Sequence, residues 1–443
     1  MPSKPSQPRT VENAFTSLRS GQLNHNGTAK PVLMWLLTLF LWLPDLGNLP
    51  LRDWDEGRVA SVARSTISRW DWGSTGGDWL LAWKWDEPYL NKPPGLHWLI
   101  GTSTQFFGDN DWAVRLMPCL IASLAVPLLL LLRRQLGGHA AENKALLAAL
   151  ILMTLMPMAR HGRLAMLDGS LVTSALLLWT GWLSSRSVPW HGLLAGLGGT
   201  GILMLKPPAL IGFLLITAAV SRLDRHQSRW NATSIVWVCA GISPGLAWHI
   251  WHLSQRGSSA LVMWGGQGFS RVAGVVGDST GAFIMPITEV LEGGWPWLLL
   301  LPLGIRLAWQ QRSNSAGRWQ LGLLLGSAAL VLPLRSQLPW YSHLLWPAIA
   351  LLCAEGLDQV LVSGRPRWIG KLWLLMGAAL LLTSLVMLLS SESIALPRLA
   401  LVCAGSGLLL GGRQLIQAKQ QQRWRGLVTL LIGWGCALLA LWH

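Results

Sequence analysis

Acidic and basic side chains gather in one stretch of a chain that is otherwise mostly apolar. Asp55 and Glu56 adjoin in the segment RDWDEGR, and Lys92 precedes two prolines in the segment PYLNKPP. A surface carboxylate can act as a general base, bind a cation or pair with an arginine. The alternative role for the acidic pair is to cap an amphipathic helix that begins near Glu56.

The Lys-Pro-Pro sequence occurs twice, at Lys92 to Pro94 and at Lys206 to Pro208. Each copy places a cation directly before a predicted helix whose first turn contains proline, a favoured position for that residue. The start of a helix attracts anions, so a phosphate group would suit both positions. The alternative is a lysine that extends along apolar surface to water, beside a proline that starts a helix.

A third polar segment contains Arg160, His161, Arg163 and Asp168. Asp168 is followed by glycine and serine, a pattern typical of a residue that caps a helix. Arg160 and Arg163 could simply be anchors at a membrane interface. The pattern alone therefore favours a structural role for this segment.

Histidines and tyrosines supply weaker signals. His249 and His252 are one helical turn apart and could form half of a metal site, but interface histidines are the more common explanation. Tyr89 and Tyr341 are the only tyrosines, and anchoring at a membrane interface is the default role for both.

The composition indicates an integral membrane protein built from helices. Of the 443 residues, 51% are apolar and 12% are charged, whereas a soluble protein averages about 25% charged residues. Leucine-rich runs without alternation predict transmembrane helices and not the strands of a barrel. The five cysteines fall within apolar runs, which gives no pattern of disulfides or metal ligands. The polar opening segment lacks a signal-peptide core, so we expect the first span to be retained.

The apolar runs predict an all-α fold with about thirteen transmembrane helices. Their approximate positions are residues 31–48, 113–132, 145–159, 168–184, 191–205, 208–222, 233–252, 295–309, 321–334, 343–360, 371–389, 395–412 and 427–442. The run from Gly95 to Phe107 is too short for a span and predicts an interfacial helix within the first outer loop. The predicted domains are a cytoplasmic segment at 1–30, a transmembrane module at 31–360 with outer loops at 49–112 and 253–294, and C-terminal helices at 361–443.

The distribution of charge predicts which side of the membrane each loop faces. With the N-terminus in the cytoplasm and the 95–107 helix on the surface, 21 of the 35 Lys and Arg residues face the cytoplasm, but only five of the 20 acids do. Cytoplasmic loops are enriched in Lys and Arg, so this topology is favoured. It places Asp55, Lys92, Asp168 and Lys206 on the outer side. No charge lies in the middle of an apolar run, which favours chemistry on a lipid headgroup over transport through the helices.

The order of these motifs resembles that of bacterial GT-C type glycosyltransferases in the aminoarabinose-transferase and protein O-mannosyltransferase superfamily. The resemblance covers residues from about 50 to 355 and is most specific in the first outer loop. The matching segments are Asp55-Glu56-Gly57-Arg58-Val59-Ala60 with Ala63-Arg64, Pro88-Tyr89 to Pro94, His97-Trp98, Phe107-Gly108, Ala113-Val114-Arg115-Leu116, Arg163-Leu164-Ala165-Met166-Leu167-Asp168, Leu205-Lys206-Pro207-Pro208, and Leu338-Pro339-Trp340-Tyr341 to Pro347.

The resemblance implies an outward-facing cavity that binds a sugar linked to polyprenyl phosphate. Asp55 would be the main catalytic carboxylate, with Glu56 beside it, and Asp168 would support the acceptor side. Preorganised cations would stabilise the charge that grows on the leaving phosphate as the glycosidic bond breaks. The residues that would bind the donor phosphate are Arg58, Tyr89, Lys92, Lys206, Arg271 and Tyr341. A hydroxyl acceptor would give its proton to Asp55, whereas a phosphate acceptor needs no base.

Two departures from the family pattern concern metal binding. Asn91 stands where the aminoarabinose enzymes carry a glutamate, and the segment that contains Arg271 lacks the histidine that is common there. Both changes remove a possible metal ligand. We therefore expect no tightly bound cofactor, and a divalent cation is possible but not favoured.

The expected function is that of an inverting glycosyltransferase whose catalytic module is residues 31–360, with its active site at the periplasmic face of a bacterial inner membrane. The expected partners are a polyprenyl-phosphate-linked sugar donor, a lipid A-like or protein acceptor and membrane lipids, but not nucleic acid. The same anion site could instead serve a polyprenyl-lipid transporter or flippase without transferase chemistry. A third interpretation is a noncatalytic subunit of an envelope assembly.

Cysteine labelling tests whether the candidate residues share one side of the membrane. In a cysteine-free background, Asp55→Cys and Lys206→Cys are expected to react with a membrane-impermeant maleimide added outside intact spheroplasts. The control Arg312→Cys, on the predicted cytoplasmic side, is expected to react only after permeabilisation. Labelling of positions 55 and 206 from opposite sides would contradict the topology.

Overall fold

The computed structural model describes residues 26–70, 78–137, 141–224, 231–265, 284–334, 338–389 and 395–442, which are almost entirely helical. The helices of the first half are α1 (Asn26–Trp42), α2 (Glu56–Ile67), α3 (Gly95–Phe107), α4 (Asp111–Ser123), α5 (Ala125–Gly137), α6 (Glu142–Thr154), α7 (Met156–Gly162), α8 (Leu167–Ser184), α9 (Gly192–Leu203) and α10 (Pro207–Leu223). Those of the second half are α11 (Ala232–Arg256), α12 (Val262–Trp264), α13 (Met285–Gly293), α14 (Leu301–Gln310), α15 (Ser315–Val331), α16 (Trp346–Ser363), α17 (Trp368–Leu389), α18 (Ala395–Leu415) and α19 (Gln420–Trp442). A small antiparallel hairpin pairs β1 (Trp83–Lys84) with β2 (Glu87–Pro88).

The helices agree with the predicted apolar segments, and the all-α, polytopic class is confirmed for the described ranges. Each of the thirteen predicted spans overlaps a helix or two consecutive helices. Six helical stretches are long and apolar enough to cross a membrane, and a seventh results if α6 and α7 count as one span bent by 61°. Others, such as α10, are shorter apolar helices. The number of thirteen spans stays a prediction.

The first loop contains the two helices that the sequence predicted, and they pack against each other. α2 buries Val59, Ala63 and Ile67 on one face. Gly101 of α3 lies against this face, where a Cβ atom would be only 2.7 Å from Cβ of Ile67. The close approach therefore requires glycine at this position of α3.

The directions of two helices define the two ends of the bundle. α10 begins directly after Lys206, and α16 begins shortly after Tyr341, which lies in a 3-10 turn at Pro339–Leu344. Both residues are candidates for phosphate binding. The C-terminal ends of α10, at Leu223, and of α16, at Ser363, therefore mark the far end of the bundle, away from the candidate site.

That far end contains buried acids that are paired with cations. Glu355, in the second half of α16, accepts hydrogen bonds from the side chains of Arg133, Lys144 and Gln320. Asp224, directly after α10, is fully buried and accepts hydrogen bonds from the side chains of Arg186, Ser315 and Trp319. An unpaired charge is costly to bury, so these acids must stay next to their partners. The contacts therefore hold the ends of α10 and α16 in fixed positions against the neighbouring helices.

The C-terminal helices α17, α18 and α19 pack on one another and are tied to the rest of the chain by tryptophans. Trp434 of α19 donates a hydrogen bond to the carbonyl of Thr154, and Trp442 donates to that of Leu41, both at 3.0 Å. The division into a module at 31–360 and a C-terminal segment stays a prediction.

Helix α14 crosses α16 at glycine residues. A Cβ atom at Gly304 would overlap the carbonyl oxygen of Leu352, and one at Gly356 would lie 2.7 Å from the carbonyl oxygen of Leu300. Small residues at such crossings let the two backbones pack closely, which is a main source of attraction between helices in lipid.

Substitution of Gly304 is expected to separate these helices. Gly304→Ala should lower the thermal unfolding midpoint of the purified protein, because overpacking against backbone costs about 1–3 kcal/mol. Gly435→Ala is a matched control, since a Cβ atom there meets nothing within 4 Å, and it should leave the midpoint unchanged or slightly higher. An equal midpoint for the two variants would show that α14 and α16 do not pack closely enough at Gly304 to exclude a methyl group.

Candidate active site

A buried salt bridge between Glu56 and Arg115 organises the residues around the candidate site. Arg115 donates hydrogen bonds from Nε to Oε1 of Glu56 at 2.7 Å and from Nη2 to Oε2 at 2.8 Å. The side chains of Arg115 and Glu56 are only 4% and 0% exposed. Two parallel bonds match the planar fork of a guanidinium to the two oxygens of a carboxylate. The pair thus fixes the start of α2 against α4.

The remaining hydrogen-bonding groups of this pair hold the neighbouring chain segments. Arg115 also donates to three backbone carbonyls of the segment 46–50. Glu56 accepts hydrogen bonds from the backbone N–H groups of Arg52 and Ala165. These contacts satisfy both buried charges, which would otherwise be strongly destabilising. They also connect the first loop to the segment before α8.

The R-x-A-x-x-D segment is anchored by its first and third residues. Arg163 donates a hydrogen bond to the carbonyl of Trp42, and its guanidinium carbon lies 4.3 Å from the centre of the Trp442 ring. The N–H group of Ala165 donates to Glu56 at 2.8 Å. The spacing of this motif therefore reflects two anchors that set the position of its terminal aspartate.

That aspartate, Asp168, faces Lys206. Met166 occupies the cap position of α8, so the helix-capping interpretation of Asp168 is wrong. Its Oδ1 atom lies 3.8 Å from Nζ of Lys206, and the same ammonium lies 4.5 Å from the centre of the Tyr341 ring. The negative face of an aromatic ring attracts a cation. Lys206 caps α10 and Pro207 starts it, as the sequence predicted.

Asp55 occupies the cap position of α2, but its side chain makes no capping hydrogen bond. The carboxylate lines a cavity instead. Burial raises the pKa of Asp55 above 3.8, and the nearby charges of Asp168 and Glu56 act in the same direction, while Arg52 and Arg58 oppose it. A carboxylate with a raised pKa is a stronger proton acceptor than an ordinary surface aspartate.

Tyr89 and Lys92 reach the same cavity from the segment between the hairpin and α3. The backbone N–H of Tyr89 donates to the carbonyl of Ala82 at 2.9 Å, and its ring packs edge-on against His97 with the ring centres 5.8 Å apart. Burial raises the pKa of Tyr89, so its hydroxyl stays a neutral hydrogen-bond donor. Burial also lowers the pKa of His97 to about 4, and its Nδ1–H donates to the carbonyl of Pro93 at 3.2 Å.

The cavity has a volume of ≈ 200 Å³ and brings together seven predicted site residues. These are Asp55, Arg58, Tyr89, Lys92, Asp168, Lys206 and Tyr341. Glu56 is not among the lining residues, because both of its oxygens are engaged in the salt bridge and its associated bonds. The geometry therefore favours a positioning role for Glu56 over the predicted catalytic one. Arg271 lies outside the described residues.

The motifs alone did not predict the roles of Arg115 and of two histidines beneath the site. The signal for Arg115 is its place within the apolar run after Trp112, since a buried arginine needs a buried acid as its partner. The rings of His161 and His343 meet edge to face with their centres 4.7 Å apart. The ring nitrogens of His343 contact the carbonyl oxygens of Trp340 and Pro157, which fixes the turn that carries Tyr341.

The histidine pair in α11 belongs to an aromatic cluster. His252 stacks on Trp248 with the ring centres 4.7 Å apart, and His249 contacts the carbonyl of Leu203 and the ring of Trp264. Among the described residues, no group of three potential metal-binding side chains is found. The structural interpretation of this pair is therefore favoured.

Comparison with known proteins identifies similar sequences. Residues 91–248 match the family described as dolichyl-phosphate-mannose-protein mannosyltransferase. An undecaprenyl phosphate-alpha-4-amino-4-deoxy-L-arabinose arabinosyl transferase of Pseudomonas fluorescens is 28% identical over 359 residues, which are 76% of this chain and 61% of that protein. A transferase with the same description from Aeromonas hydrophila is 26% identical over 75% of this chain and 60% of its own length. The chain thus spans about three fifths of the length of these curated relatives.

The fold has a solved counterpart. The crystal structure of ArnT from Cupriavidus metallidurans bound to undecaprenyl phosphate matches with a TM-score of 0.71 at 19% identity, over 94% of this chain and 77% of that one. The chain therefore shares the fold of that structure, and its sequence is similar to the aminoarabinose transferases and to the mannosyltransferase family. The resemblance to the aminoarabinose-transferase and protein O-mannosyltransferase superfamily that the motifs indicated is confirmed.

Removal of one partner of the Glu56–Arg115 pair is expected to destabilise the protein strongly. Glu56→Gln leaves a buried guanidinium without its counter-charge, which should lower the free energy of unfolding by about 3–5 kcal/mol. Arg64→Gln is the control, because Arg64 pairs with Asp109 where the two side chains are 42% and 57% exposed, and it should cost at most about 1 kcal/mol. Denaturant or thermal unfolding measures both. Equal losses would mean that the buried pair has no special role.

Proposed function

We propose that this chain is an inverting glycosyltransferase that moves a sugar from a polyprenyl-phosphate donor to an acceptor at the membrane surface. The observation that carries the proposal is one cavity lined by the carboxylates of Asp55 and Asp168 and by the cations of Arg58, Lys92 and Lys206. This combination suits a reaction in which the acceptor loses a proton while negative charge grows on a leaving phosphate.

The cations support binding of the donor phosphate. Lys206 is held between Asp168 and the ring of Tyr341, so its ammonium is already in place before charge develops. Lys92 adds a second positive charge, and the neutral hydroxyl of Tyr89 can donate a hydrogen bond. Arg271 stays a further candidate for this role.

Asp55 is suited to act as the general base when the acceptor is a hydroxyl group. The acceptor oxygen would form a bond to the anomeric carbon on the face opposite the phosphate, and its proton would pass to Asp55. The bond between the anomeric carbon and the phosphate oxygen would break in the same step, which inverts the configuration. A phosphate acceptor is already ionised and needs no base. The acceptor in this proposal is a lipid A-like lipid or a protein.

The relatives suggest a donor and a location. Their names specify an undecaprenyl phosphate-linked 4-amino-4-deoxy-L-arabinose, and we propose a donor of the same class for this chain. The excess of Lys and Arg in the loops away from the site supports a periplasmic active site in a bacterial inner membrane. The proposal includes no tightly bound metal, since Asn91 lines the cavity where a glutamate would be expected to help hold one.

Two substitutions test the proposed transferase activity in purified protein. Lys92→Ala is expected to lower the rate of sugar transfer by about 10²-fold or more, because it removes a charge that stabilises the leaving phosphate. With a hydroxyl acceptor, Asp55→Asn should cause a similar loss, because it removes the general base. The control is Asp86→Asn, which changes an exposed acid on the hairpin that pairs with Arg69 at the surface. It should leave the rate within about twofold of the wild type.

The pH dependence separates the two acceptor chemistries. With a hydroxyl acceptor, Asp55 must be ionised, so transfer should fall as the pH decreases through its folded-state pKa, which lies above 3.8. With a phosphate acceptor, this Asp55-dependent decrease should be absent.

Unchanged transfer in both Asp55→Asn and Lys92→Ala would reject the assignment. Lipid scrambling in proteoliposomes without sugar transfer would support the transporter alternative instead.

A further inference from the structure

A second cavity lies at the end of the bundle away from the candidate active site. It has a volume of ≈ 530 Å³ and is formed by α14, the last turns of α16 and the turn that leads into α17. Its lining residues are Pro302, Leu303, Arg306, Leu307, Gln310, Gln359, Arg365, Pro366 and Trp368. The charge distribution of the loops predicts that this end faces the cytoplasm.

The charged groups of this cavity are both cationic. Arg306 and Arg365 line it together with two glutamines, and no acid lines it. The nearest acid along α16, Asp358, is directed to Lys144 at 4.0 Å. In the described part of the chain, neither Arg306 nor Arg365 forms a salt bridge. The cavity therefore presents two guanidinium groups that pair with no acidic side chain among the residues described.

Exposed tryptophans indicate the depth of this cavity in the membrane. Trp309 and Trp368 are 59% and 44% exposed, and tryptophans concentrate at the level of lipid headgroups. Arg306 lies one helical turn before Gln310 in α14. Pro302 and Leu303 form an apolar wall one turn before Arg306. The cavity thus joins a cationic rim, which lies beside these tryptophans, to an apolar surface.

We propose that this cavity binds an anionic diacyl phospholipid of the inner leaflet. The phosphate would lie between Arg306 and Arg365, because guanidinium groups bind phosphate through paired hydrogen bonds. Gln310 and Gln359 can donate further hydrogen bonds to the headgroup. One acyl chain would run along Leu303 and Leu307. Basic pockets between helices on the cytoplasmic side are suited to such lipids. This site is separate from the proposed transferase reaction and does not depend on it.

Lipid titration of the purified full-length protein tests the site. We would exchange the protein into nanodiscs of phosphatidylcholine and titrate phosphatidylglycerol, with native mass spectrometry to count bound lipids. The double variant Arg306→Gln and Arg365→Gln should weaken phosphatidylglycerol binding by about tenfold or more. The matched control is Arg413→Gln with Arg425→Gln, which removes the same charge from exposed positions of α18 and α19 at the same end of the bundle. It should change binding by less than about twofold.

Several outcomes would overturn the site. Equal losses in the two double variants would show that general positive charge, not this cavity, attracts the lipid. Unchanged binding in the cavity variant would exclude Arg306 and Arg365 as ligands. Full competition by millimolar inorganic phosphate would exclude a contribution from the acyl chains and hence a lipid site. A thermal unfolding midpoint for both variants within error of the wild type confirms that folded protein is compared.

Discussion

Arg115 is a charged residue that is buried in the protein, with only 3% of its own surface exposed to solvent. Such a charge is stable only with a partner, and Glu56 supplies two hydrogen-bonded oxygens. Because the pair also binds backbone groups of the segment 46–50 and of Ala165, three parts of the chain distant in sequence are held together. The first loop and the start of α8 can then present their carboxylates to one cavity.

The polar groups of the molecule are divided between two ends, with hydrocarbon-compatible helices between them. At the site end, charges of both signs line a cavity, and Asp168 and Lys206 are 3.8 Å apart without a hydrogen bond between them. At the far end, Glu355 and Asp224 are each surrounded by several donors and are structural. Fully paired charges stabilise helix packing, whereas partly paired charges remain able to bind a substrate. This contrast in pairing distinguishes the charges of the candidate active site from the two buried acids that hold helices together at the far end.

The positions of the prolines and aspartates at the site are determined partly by local sequence and partly by the tertiary structure. Lys206 occupies the residue before α10, and the following proline starts the helix, as the local preference of proline for the first turn predicts. Asp55 also stands at a cap position, but its carboxylate makes no capping hydrogen bond and lines the cavity instead. Asp168 was expected to cap α8 on local grounds, yet it lies in the first turn because Arg163 and Ala165 are anchored before it.

The sequence by itself determined the helical membrane class, the order of the helices, the short helix at 95–107 and seven residues of the cavity, because apolar periodicity and short motifs are local properties. It could not separate the roles of Asp55 and Glu56, two adjacent acids with the same local preferences. Only the tertiary structure assigned Glu56 to Arg115, 59 residues away, and left Asp55 to the cavity. Pairing of buried charges depends on which helices meet, and that is decided by packing over the whole chain.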